Sequence, residues 1–342
     1  MVKGSGETPP IVSVVLPTHN RADVLPFAVS SVLYQSFPDF ELLIAADGCT
    51  DDTAEVVAGF DDDRIRWFDL PKAPGFGYAN RNIVLRQARG EFIAYMPHDD
   101  LWLVDHLAHL VRLAHDRDAD FVHSRKMTVD RQGRMWPSPF NLEAAATLAI
   151  LTPSSLAIGI APVLHRRDCL DRFGYWDESG RLGGDHRLWV DFIGGGSRSN
   201  FAFLAEPTSL HFLADWREQN LRRWHIHYRE LTRRMRFDLQ PDILHVLIPD
   251  GMTEQQAVWA RISENPRAFV QELRAGVQAS LDSRLMRLDD FLPMALAVLG
   301  TRLRRFPRAY FNRLEFGGEK AQSAGASSPS PTGRGTGTRN ND

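Results

Sequence analysis

Polar residues directly follow three apolar, β-rich runs of the chain, and they include two adjacent carboxylates. The first run leads into Pro17-Thr-His-Asn-Arg21, the second into Asp47-Gly-Cys-Thr-Asp51, and a later run into Pro97-His-Asp-Asp100. Ligands of an open parallel sheet collect outside the carboxyl ends of its strands, so these three segments predict one polar rim. Carboxylate oxygens suit Mg²⁺ or Mn²⁺, and such a cation neutralises phosphate oxygens. We therefore expect Asp99 and Asp100 to hold a metal that binds a phosphate-bearing ligand.

Phosphate binding at this rim would use neither of the two common glycine-rich loops. The segment after the first run contains no glycine, which excludes a dinucleotide fingerprint and a Walker loop there. A second phosphate contact is expected from Arg81, which stands at a predicted helix start behind the glycine-containing segment 75–77. The acidic residues also have a purely structural interpretation, in which Asp47 belongs to a turn and the adjacent acid pair caps a helix beginning near Leu101.

The spacing of apolar residues predicts a sheet that aligns these segments. From Ile11 to His123, β-rich runs alternate with helical periodicity, the pattern of parallel strands joined by crossover helices. Helices are predicted around Leu25 to Leu33, up to about Ala58, and from near Asp185. The fold class is therefore α/β, a mostly parallel sheet flanked by helices with a C-terminal helical region. The predicted strands are Ile11–Leu16, Phe40–Ala46, Arg64–Phe68, Phe92–Met96 and Asp120–His123.

Composition divides the chain into four segments. Residues 1–10 form a polar N-terminal arm, and residues 11–214 contain the α/β pattern. Residues 215–316 are almost wholly helical in pattern and rich in arginine, which predicts an accessory helical region. Residues 317–342 are rich in Gly, Ser, Thr and Pro and have no aromatic residue, a composition typical of a disordered tail.

Charge, cysteine content and hydropathy exclude several function classes. The net charge of -3 provides no global positive field, so nucleic acid is not expected as a partner. Cys49 and Cys169 are too few for a disulfide framework or a structural zinc site, which favours the cytoplasm. The longest apolar stretch, near residues 291–299, has about half the length that a spanning helix needs. The arginine-rich helical segments predict either a solvated face or peripheral contact with anionic lipid at the inner face of the membrane.

The polar segments occur in the order seen in a known enzyme family. Together they resemble the motifs of family 2 of the inverting glycosyltransferases over about residues 11–213, and the ordered succession makes the match specific. The resemblance implies a Rossmann-like GT-A fold and makes residues 11–214 the catalytic domain. The segments that carry it are Val12–Arg21, Ser31–Phe37, Phe40–Ile44, Asp47–Thr53, Ala79–Asn82, His98–Trp102 and Gly184–Trp189.

This resemblance implies a nucleotide diphosphate sugar, expected to be a UDP-sugar, as the donor. It implies Asp185 as the general base that takes the proton from an acceptor hydroxyl as that oxygen attacks the anomeric carbon. The implied ligands of the cofactor, Mn²⁺ or Mg²⁺, are Asp99, Asp100 and His211, and the metal would stabilise the departing diphosphate. The acceptor would be a glycan, a lipid-linked compound or a small hydroxyl compound in polysaccharide or glycoconjugate synthesis. The residues expected around the donor are Pro17, Thr18, Asn20, Asp47, Arg81 and Asp99.

Three positions depart from the family pattern. Ala46 and Gly184 replace acidic residues, and Pro97 stands where the metal-binding motif usually starts. These departures keep two alternatives open. One is a nucleotidyltransferase on a related scaffold, which would use the same metal ligands without Asp185, and the other is a catalytically silent nucleotide-binding or scaffold protein.

Overall fold

Ten strands of the described residues form one mixed sheet with helices on both faces. The computed structural model describes residues 8–138, 141–143, 158–179, 184–194, 200–213 and 244–282. The strands are β1 (Val12–Thr18), β2 (Phe40–Asp47), β3 (Ile65–Leu70), β4 (Phe92–Tyr95), β5 (Leu101–Trp102), β6 (Phe121–Val129), β7 (Arg134–Pro137), β8 (Val163–Arg166), β9 (Phe201–Phe212) and β10 (Leu244–His245). The helices are α1 (Leu25–Leu33), α2 (Thr53–Ala58), α3 (Tyr78–Leu85), α4 (His106–Asp116), α5 (Cys169–Phe173), α6 (Gly184–Ile193), α7 (Glu254–Glu264) and α8 (Pro266–Asp282).

Parallel pairing dominates the sheet. Its order is β10-β7-β6-β8-β4-β1-β2-β3, and β9 pairs with β6 and β5 outside this path. The longest registers belong to the four parallel pairs, which are β1 with β2, β1 with β4, β2 with β3, and β6 with β9. Each antiparallel pair extends over three residues or fewer. The predicted α/β class, a mostly parallel sheet flanked by helices, is therefore confirmed.

The central strands are apolar on both faces because helices cover both faces. Alternate residues of β1 belong to separate clusters: Val14 and Leu16 pack with α1 and α4, whereas Val15 packs with α3 and α6. Such two-sided burial is typical of parallel strands and explains their unbroken apolar runs. Pro26 lies in the first turn of α1, where its missing N–H costs no helical hydrogen bond.

A third apolar cluster joins the far end of the sheet to α7 and α8. Leu101, Met127 and Leu210, from three strands, pack with Val258 of α7 and Phe269 of α8. Both helices belong to the segment for which the sequence predicts a helical region. Within the described ranges, no helix is both long enough and apolar enough to cross a membrane.

The predicted strand boundaries agree with the structure to within two residues, except that β6 continues to Val129. The structural interpretation of the acid pair at 99 and 100 is wrong, because residues 101 and 102 form β5 and α4 begins only at His106, so the pair caps no helix.

Several sequence predictions concern residues outside the described ranges. These residues include 1–7, 214–243 and 283–342. The arginine cluster over residues 222–236, the apolar stretch over residues 291–299 and the predicted tail lie there, so the predictions for them stay predictions.

Candidate functional site

The carboxyl ends of β1, β2 and β4 bring the predicted polar segments to one edge of the sheet, since these strands pair in parallel. Thr18 ends β1, Asp47 ends β2, and Asp99 with Asp100 follows β4. All four residues are between 1% and 6% exposed. A buried polar group is costly unless it is hydrogen-bonded, and the Thr18 hydroxyl has no partner among the residues that the structure describes. This hydroxyl is therefore available to a ligand at the edge.

Asn20 ties the loop after β1 to the loop after β2. Its side-chain oxygen accepts a hydrogen bond from the Thr50 N–H at 2.8 Å, and its amide donates to the Thr50 hydroxyl at 3.2 Å. Asp51 adds a second tie, because its carboxylate accepts from the Ala22 N–H at 3.2 Å. Burial alone would raise the pKa of the Asp51 carboxyl. Hydrogen bonds from Thr53 and Ala22 together lower it by more, so the pKa lies below its ordinary value. The side chain of Asn20 therefore stabilises the rim by holding these two loops together.

The Asp47 carboxylate is occupied by the chain itself. One oxygen accepts hydrogen bonds from the Ala73 N–H and the Asn80 side chain, both at 2.7 Å, and the other pairs with the Lys72 ammonium. These contacts fix the segment that leads into α3. A Cβ on Gly77 would lie 2.7 Å from the carboxylate, and the φ of +71° at Gly77 is one that glycine adopts readily. The apolar run before Asp47 predicts its place at the rim, but no pattern in the sequence indicates its partners Lys72 and Asn80.

Arg81 lies half-buried against two aromatic rings. Its guanidinium carbon is 5.0 Å from the centre of the Tyr78 ring and 4.8 Å from that of Trp176. At such distances a cation is attracted to the face of a ring. Burial lowers the pKa of Arg81, while Tyr78, Asp185 and Asp47 act to raise it. An arginine keeps its charge in proteins. Arg81 is therefore a permanent cation that interacts electrostatically with the carboxylates of Asp47 and Asp185.

The first turn of α6 brings Asp185 to the same part of the molecule. The Gly184 N–H donates a hydrogen bond to the Tyr78 hydroxyl at 3.2 Å, which attaches this turn to α3. Asp185 is partly exposed there. Its charge acts on the pKa of both Tyr78 and Arg81. The structure therefore brings Asp185 and Arg81 together, although they are far apart in the chain.

Asp100 and His211 form a second pair, at the end of β4. The Nδ1 atom of His211 lies 3.1 and 3.2 Å from the two carboxylate oxygens of Asp100, and the Phe212 N–H donates to the same carboxylate at 3.2 Å. The contact arises because β9 pairs with β5, which directly follows Asp100. The neighbouring Asp99 is buried, and its main-chain carbonyl accepts from Gln255 of α7 at 3.2 Å. A carboxylate oxygen beside an imidazole nitrogen is a donor set that fits Mn²⁺.

A different acidic group lies at the opposite edge of the sheet. Among the described residues, Asp120, Asp168 and Cys169 are the one group of three metal-ligating side chains whose ligand atoms all lie within 4.8 Å of one another. Asp120 already pairs with Arg172 at 2.8 Å, and burial raises the pKa of the Cys169 thiol to about 12. Because metals bind the thiolate form, this group suits a cation poorly. The ligand atoms of Asp99, Asp100 and His211 do not all lie within 4.8 Å of one another, so the structure brings together Asp100 and His211 but not the whole predicted set. This pair remains the better metal candidate.

Comparison with known families identifies the first part of the chain. Residues 13–162 match the family model described as "Glycosyl transferase family 2". The rim residues on β1, β2 and β4 and Arg81 fall inside the matched residues. Asp185 and His211 lie beyond them.

Two curated proteins are similar to part of the chain. A "UDP-Glc:alpha-D-GlcNAc-diphosphoundecaprenol beta-1,3-glucosyltransferase" of Escherichia coli is 32% identical over 113 residues, which cover 33% of this chain and 44% of that protein. A "GalNAc(5)-diNAcBac-PP-undecaprenol beta-1,3-glucosyltransferase" of Campylobacter jejuni is 37% identical over 109 residues, which cover 31% of this chain and 35% of that protein. The chain thus spans less than half the length of these relatives.

Solved structures share the fold. S. aureus TarS 1–349 matches with a TM-score of 0.50 and 21% identity, over 59% of this chain and 60% of that chain. The same protein in complex with UDP-GlcNAc matches with a TM-score of 0.50 and 20% identity, over 60% of this chain and 59% of that chain. The expected GT-A type of fold is confirmed by this likeness, which at such low identity bears on the fold alone.

Proposed function

We propose that this chain, whose residues 13–162 match the model of glycosyl transferase family 2, transfers a sugar, with inversion, from a nucleotide diphosphate sugar to a hydroxyl acceptor. A UDP-sugar is the expected donor. The observation that carries the proposal is that Tyr78 contacts both Arg81 and Gly184, the neighbour of Asp185 in the first turn of α6, beside the polar edge of the sheet. Inverting transfer needs a base on the acceptor side of the anomeric carbon and positive charge on the diphosphate side. These two residues offer both groups on separate helices, α6 and α3.

Each of the two residues has a defined part in the reaction. Asp185 takes the proton of the acceptor hydroxyl as that oxygen bonds to the anomeric carbon, and the bond between this carbon and the diphosphate oxygen breaks. Arg81 stabilises the negative charge that develops on the departing diphosphate. The rings of Tyr78 and Trp176 cover part of its guanidinium, which strengthens its electrostatic effect because less water screens it. The buried hydroxyl of Thr18 is available to the nucleotide.

The rim residues complete the proposed donor site. Asp99, Asp100 and His211 would hold Mn²⁺ or Mg²⁺, which when bound supplies further positive charge to the diphosphate. The contact between Asp100 and His211 supports this assignment. Around the nucleotide, Pro17 would contribute from the end of β1, Asn20 shapes the loop after β1, and Asp47 shapes the segment before α3.

A lipid-linked glycan is the acceptor class that we propose. The names of the Escherichia coli and Campylobacter jejuni relatives specify undecaprenol-linked substrates. An acceptor held in a membrane would place this chain at the inner membrane face. The arginine-rich sequence over residues 222–236 has the composition that favours contact with anionic lipid there.

The test follows nucleoside diphosphate release from a panel of nucleotide sugars, with Mn²⁺ and an undecaprenyl-diphosphate-linked glycan as the acceptor. We expect Asp185→Asn to lower kcat by about 10²–10⁴-fold, the usual contribution of a general base. Nucleotide binding, measured by calorimetry, should be retained. The matched control is Asp191→Asn on the same helix, which should keep the wild-type rate.

Other outcomes would change the assignment. An undiminished rate in Asp185→Asn would refute this residue as the base. Release of inorganic pyrophosphate from a nucleoside triphosphate would favour the nucleotidyltransferase alternative. Metal-dependent nucleotide binding without any turnover would favour a silent binding protein.

A further inference from the structure

Gly184 lies directly against the ring of Tyr78. A Cβ built on Gly184 would lie 2.6 Å from Cζ and 2.7 Å from Cε2 of Tyr78, closer than real Cβ contacts come. The N–H of the same glycine donates to the Tyr78 hydroxyl at 3.2 Å. Any larger residue at position 184 must therefore displace either the Tyr78 ring or the first turn of α6. The contact between Gly184 and Tyr78 is possible because position 184 is glycine, where the family pattern has an acidic residue.

Tyr78 is held from its other side by Trp176. The two rings are stacked, with centres 5.2 Å apart and planes 23° from parallel. Trp176 is fixed through its backbone, since its N–H donates to the Asn82 side chain at 3.1 Å and its carbonyl accepts from that side chain at 2.9 Å. Asn82 lies one turn after Tyr78 on α3. The tyrosine ring is consequently only 6% exposed and has little freedom to move.

The same pair of rings also contacts Arg81, which lies between Tyr78 and Asn82 on the same turn of α3. The guanidinium is 5.0 Å from one ring centre and 4.8 Å from the other. The stack of Tyr78 on Trp176 therefore touches the proposed diphosphate-binding residue and the helix turn that carries the proposed base.

We propose that Tyr78 and Trp176 are positioning residues that hold Arg81 and the Asp185-bearing turn of α6 at a fixed separation, and that this role requires glycine at position 184. The inference rests on the proposed function, which assigns Arg81 to the diphosphate and Asp185 to the acceptor hydroxyl. Neither ring makes or breaks a bond. Burial raises the pKa of Tyr78, so its phenol stays protonated and neutral at neutral pH. Displacing one of two reacting groups by about 1 Å lowers a rate by roughly 10²-fold.

The test is a double-mutant cycle between positions 78 and 184, with kcat and the donor KM measured for each variant. Gly184→Ala should lower kcat by about 10–100-fold and change the donor KM by less than about 3-fold, because the donor site itself is intact. Tyr78→Leu removes the atoms with which the new Cβ collides. In that background, Gly184→Ala should have little further effect on kcat, so the two effects should not add. Gly59→Ala, whose Cβ would lie 3.4 Å from its nearest neighbour, the Val56 carbonyl oxygen, is the control and should keep the wild-type kcat.

A more conservative substitution at the same position tests the inference if Tyr78→Leu fails to fold. Tyr78→Phe keeps the stacked ring and removes only the hydroxyl that accepts from Gly184. It should lower kcat by roughly 3–10-fold and the free energy of unfolding by about 1 kcal/mol, the usual contribution of one hydrogen bond, while the donor KM stays unchanged. Tyr34→Phe, at a tyrosine that is 63% exposed, is its control.

The outcomes separate this inference from the function on which it rests. Additive effects in the cycle, or wild-type kcat in both Gly184→Ala and Tyr78→Phe, would overturn the positioning role in an enzyme that transfers sugar. A wild-type protein that releases no nucleoside diphosphate from any nucleotide sugar would instead overturn the proposed function, before any variant is compared.

Discussion

His211 Nδ1 lies 3.1 Å from a carboxylate oxygen of Asp100, although 111 residues separate the two in the chain. β9 runs parallel to β6 and so returns His211 to the edge at which β4 ends. The Asp100 side chain is 2% exposed, whereas that of His211 is 23% exposed. A cation that arrives from solvent would therefore meet the imidazole first.

Replacing His211 should weaken cation binding. We expect His211→Gln to lower the affinity for Mn²⁺ by at least about 10-fold, since perturbing even the partners of metal ligands costs 10–100-fold. Calorimetric titration of Mn²⁺ in the presence of UDP measures this affinity. His245→Gln, at an exposed histidine of β10, is the control. Equal Mn²⁺ affinity in the two variants would show that His211 is not a ligand.

Asp47→Asn should disturb the segment before α3 and thereby the nucleotide site. The carboxylate accepts from Ala73 and Asn80 and pairs with Lys72, and an amide cannot satisfy all three donors. We expect the free energy of unfolding to fall by about 1–3 kcal/mol and UDP affinity to fall by roughly 10-fold, the equivalent of one such hydrogen bond. Urea titration and calorimetry measure the two effects. The control is Asp69→Asn on the exposed side of β3, and UDP affinity equal to that of the control would contradict the role of Asp47.

The two cysteines should differ sharply in reactivity. Cys169 is buried and burial raises its pKa to about 12, whereas Cys49 is partly exposed at the rim, with Sγ 3.8 Å from the Thr18 carbonyl oxygen. Because the thiolate is the reactive form, iodoacetamide at pH 8 should label Cys49 and leave Cys169 unmodified. Saturating UDP with Mn²⁺ should slow the labelling of Cys49. Peptide mass spectrometry follows both sites, and a labelling rate that UDP does not change would place the nucleotide elsewhere.

Buried His106 should make the protein less stable in mild acid. Burial lowers its pKa to about 3 in the folded chain, against roughly 6.5 in an unfolded chain. Above pH 6.5 both states are neutral, so this residue contributes no pH dependence there. Between pH 6.5 and about 3 only the unfolded state binds the proton. In this range His106 lowers the free energy of unfolding by about 1.4 kcal/mol for each unit by which the pH is decreased.

His106→Phe tests this linkage. The phenyl ring keeps the stack on Trp102, whose ring centre lies 4.2 Å from that of the histidine, but loses the hydrogen bond to Thr208. The variant should be about 1 kcal/mol less stable at pH 8 and should lose less stability than the wild type between pH 6 and pH 4. Urea midpoints at several pH values measure both effects. An identical slope in wild type and variant would mean that His106 is not the source.

The sequence allowed the central strands and the rim residues to be predicted because these features are local. An unbroken apolar run followed at once by Thr18, Asp47 or Asp99 encodes both a strand buried on two faces and the polar end of that strand. The approach of the first turn of α6 to Arg81 is not local in this sense. Both contact Tyr78, which stacks on Trp176, and no periodicity in the sequence encodes these contacts.

The segment at Leu101 and Trp102 shows how tertiary pairing overrides a local signal. Two acids before an apolar pair have the pattern of a capped helix start. In the fold, Leu101 and Trp102 pair instead with Leu210 and Ser209 of β9. Because β9 is about 100 residues away in the sequence, strand propensity at position 101 depends on a partner that local analysis does not consider.

The irregular pairing of β9 with β6 has a consequence for how this chain can vary. β9 uses twelve residues where β6 uses nine, and the register shifts occur around Arg125, whose side chain donates to the Ala205 carbonyl at 2.9 Å. A bulge places extra residues on one strand without changing the pairing beyond it, and residues 126–129 keep an unbroken register with residues 209–212 past the shifts. Homologous sequences should therefore tolerate a one-residue insertion between positions 204 and 208 more readily than one within residues 209–211, where it would turn the imidazole to the opposite face of the sheet.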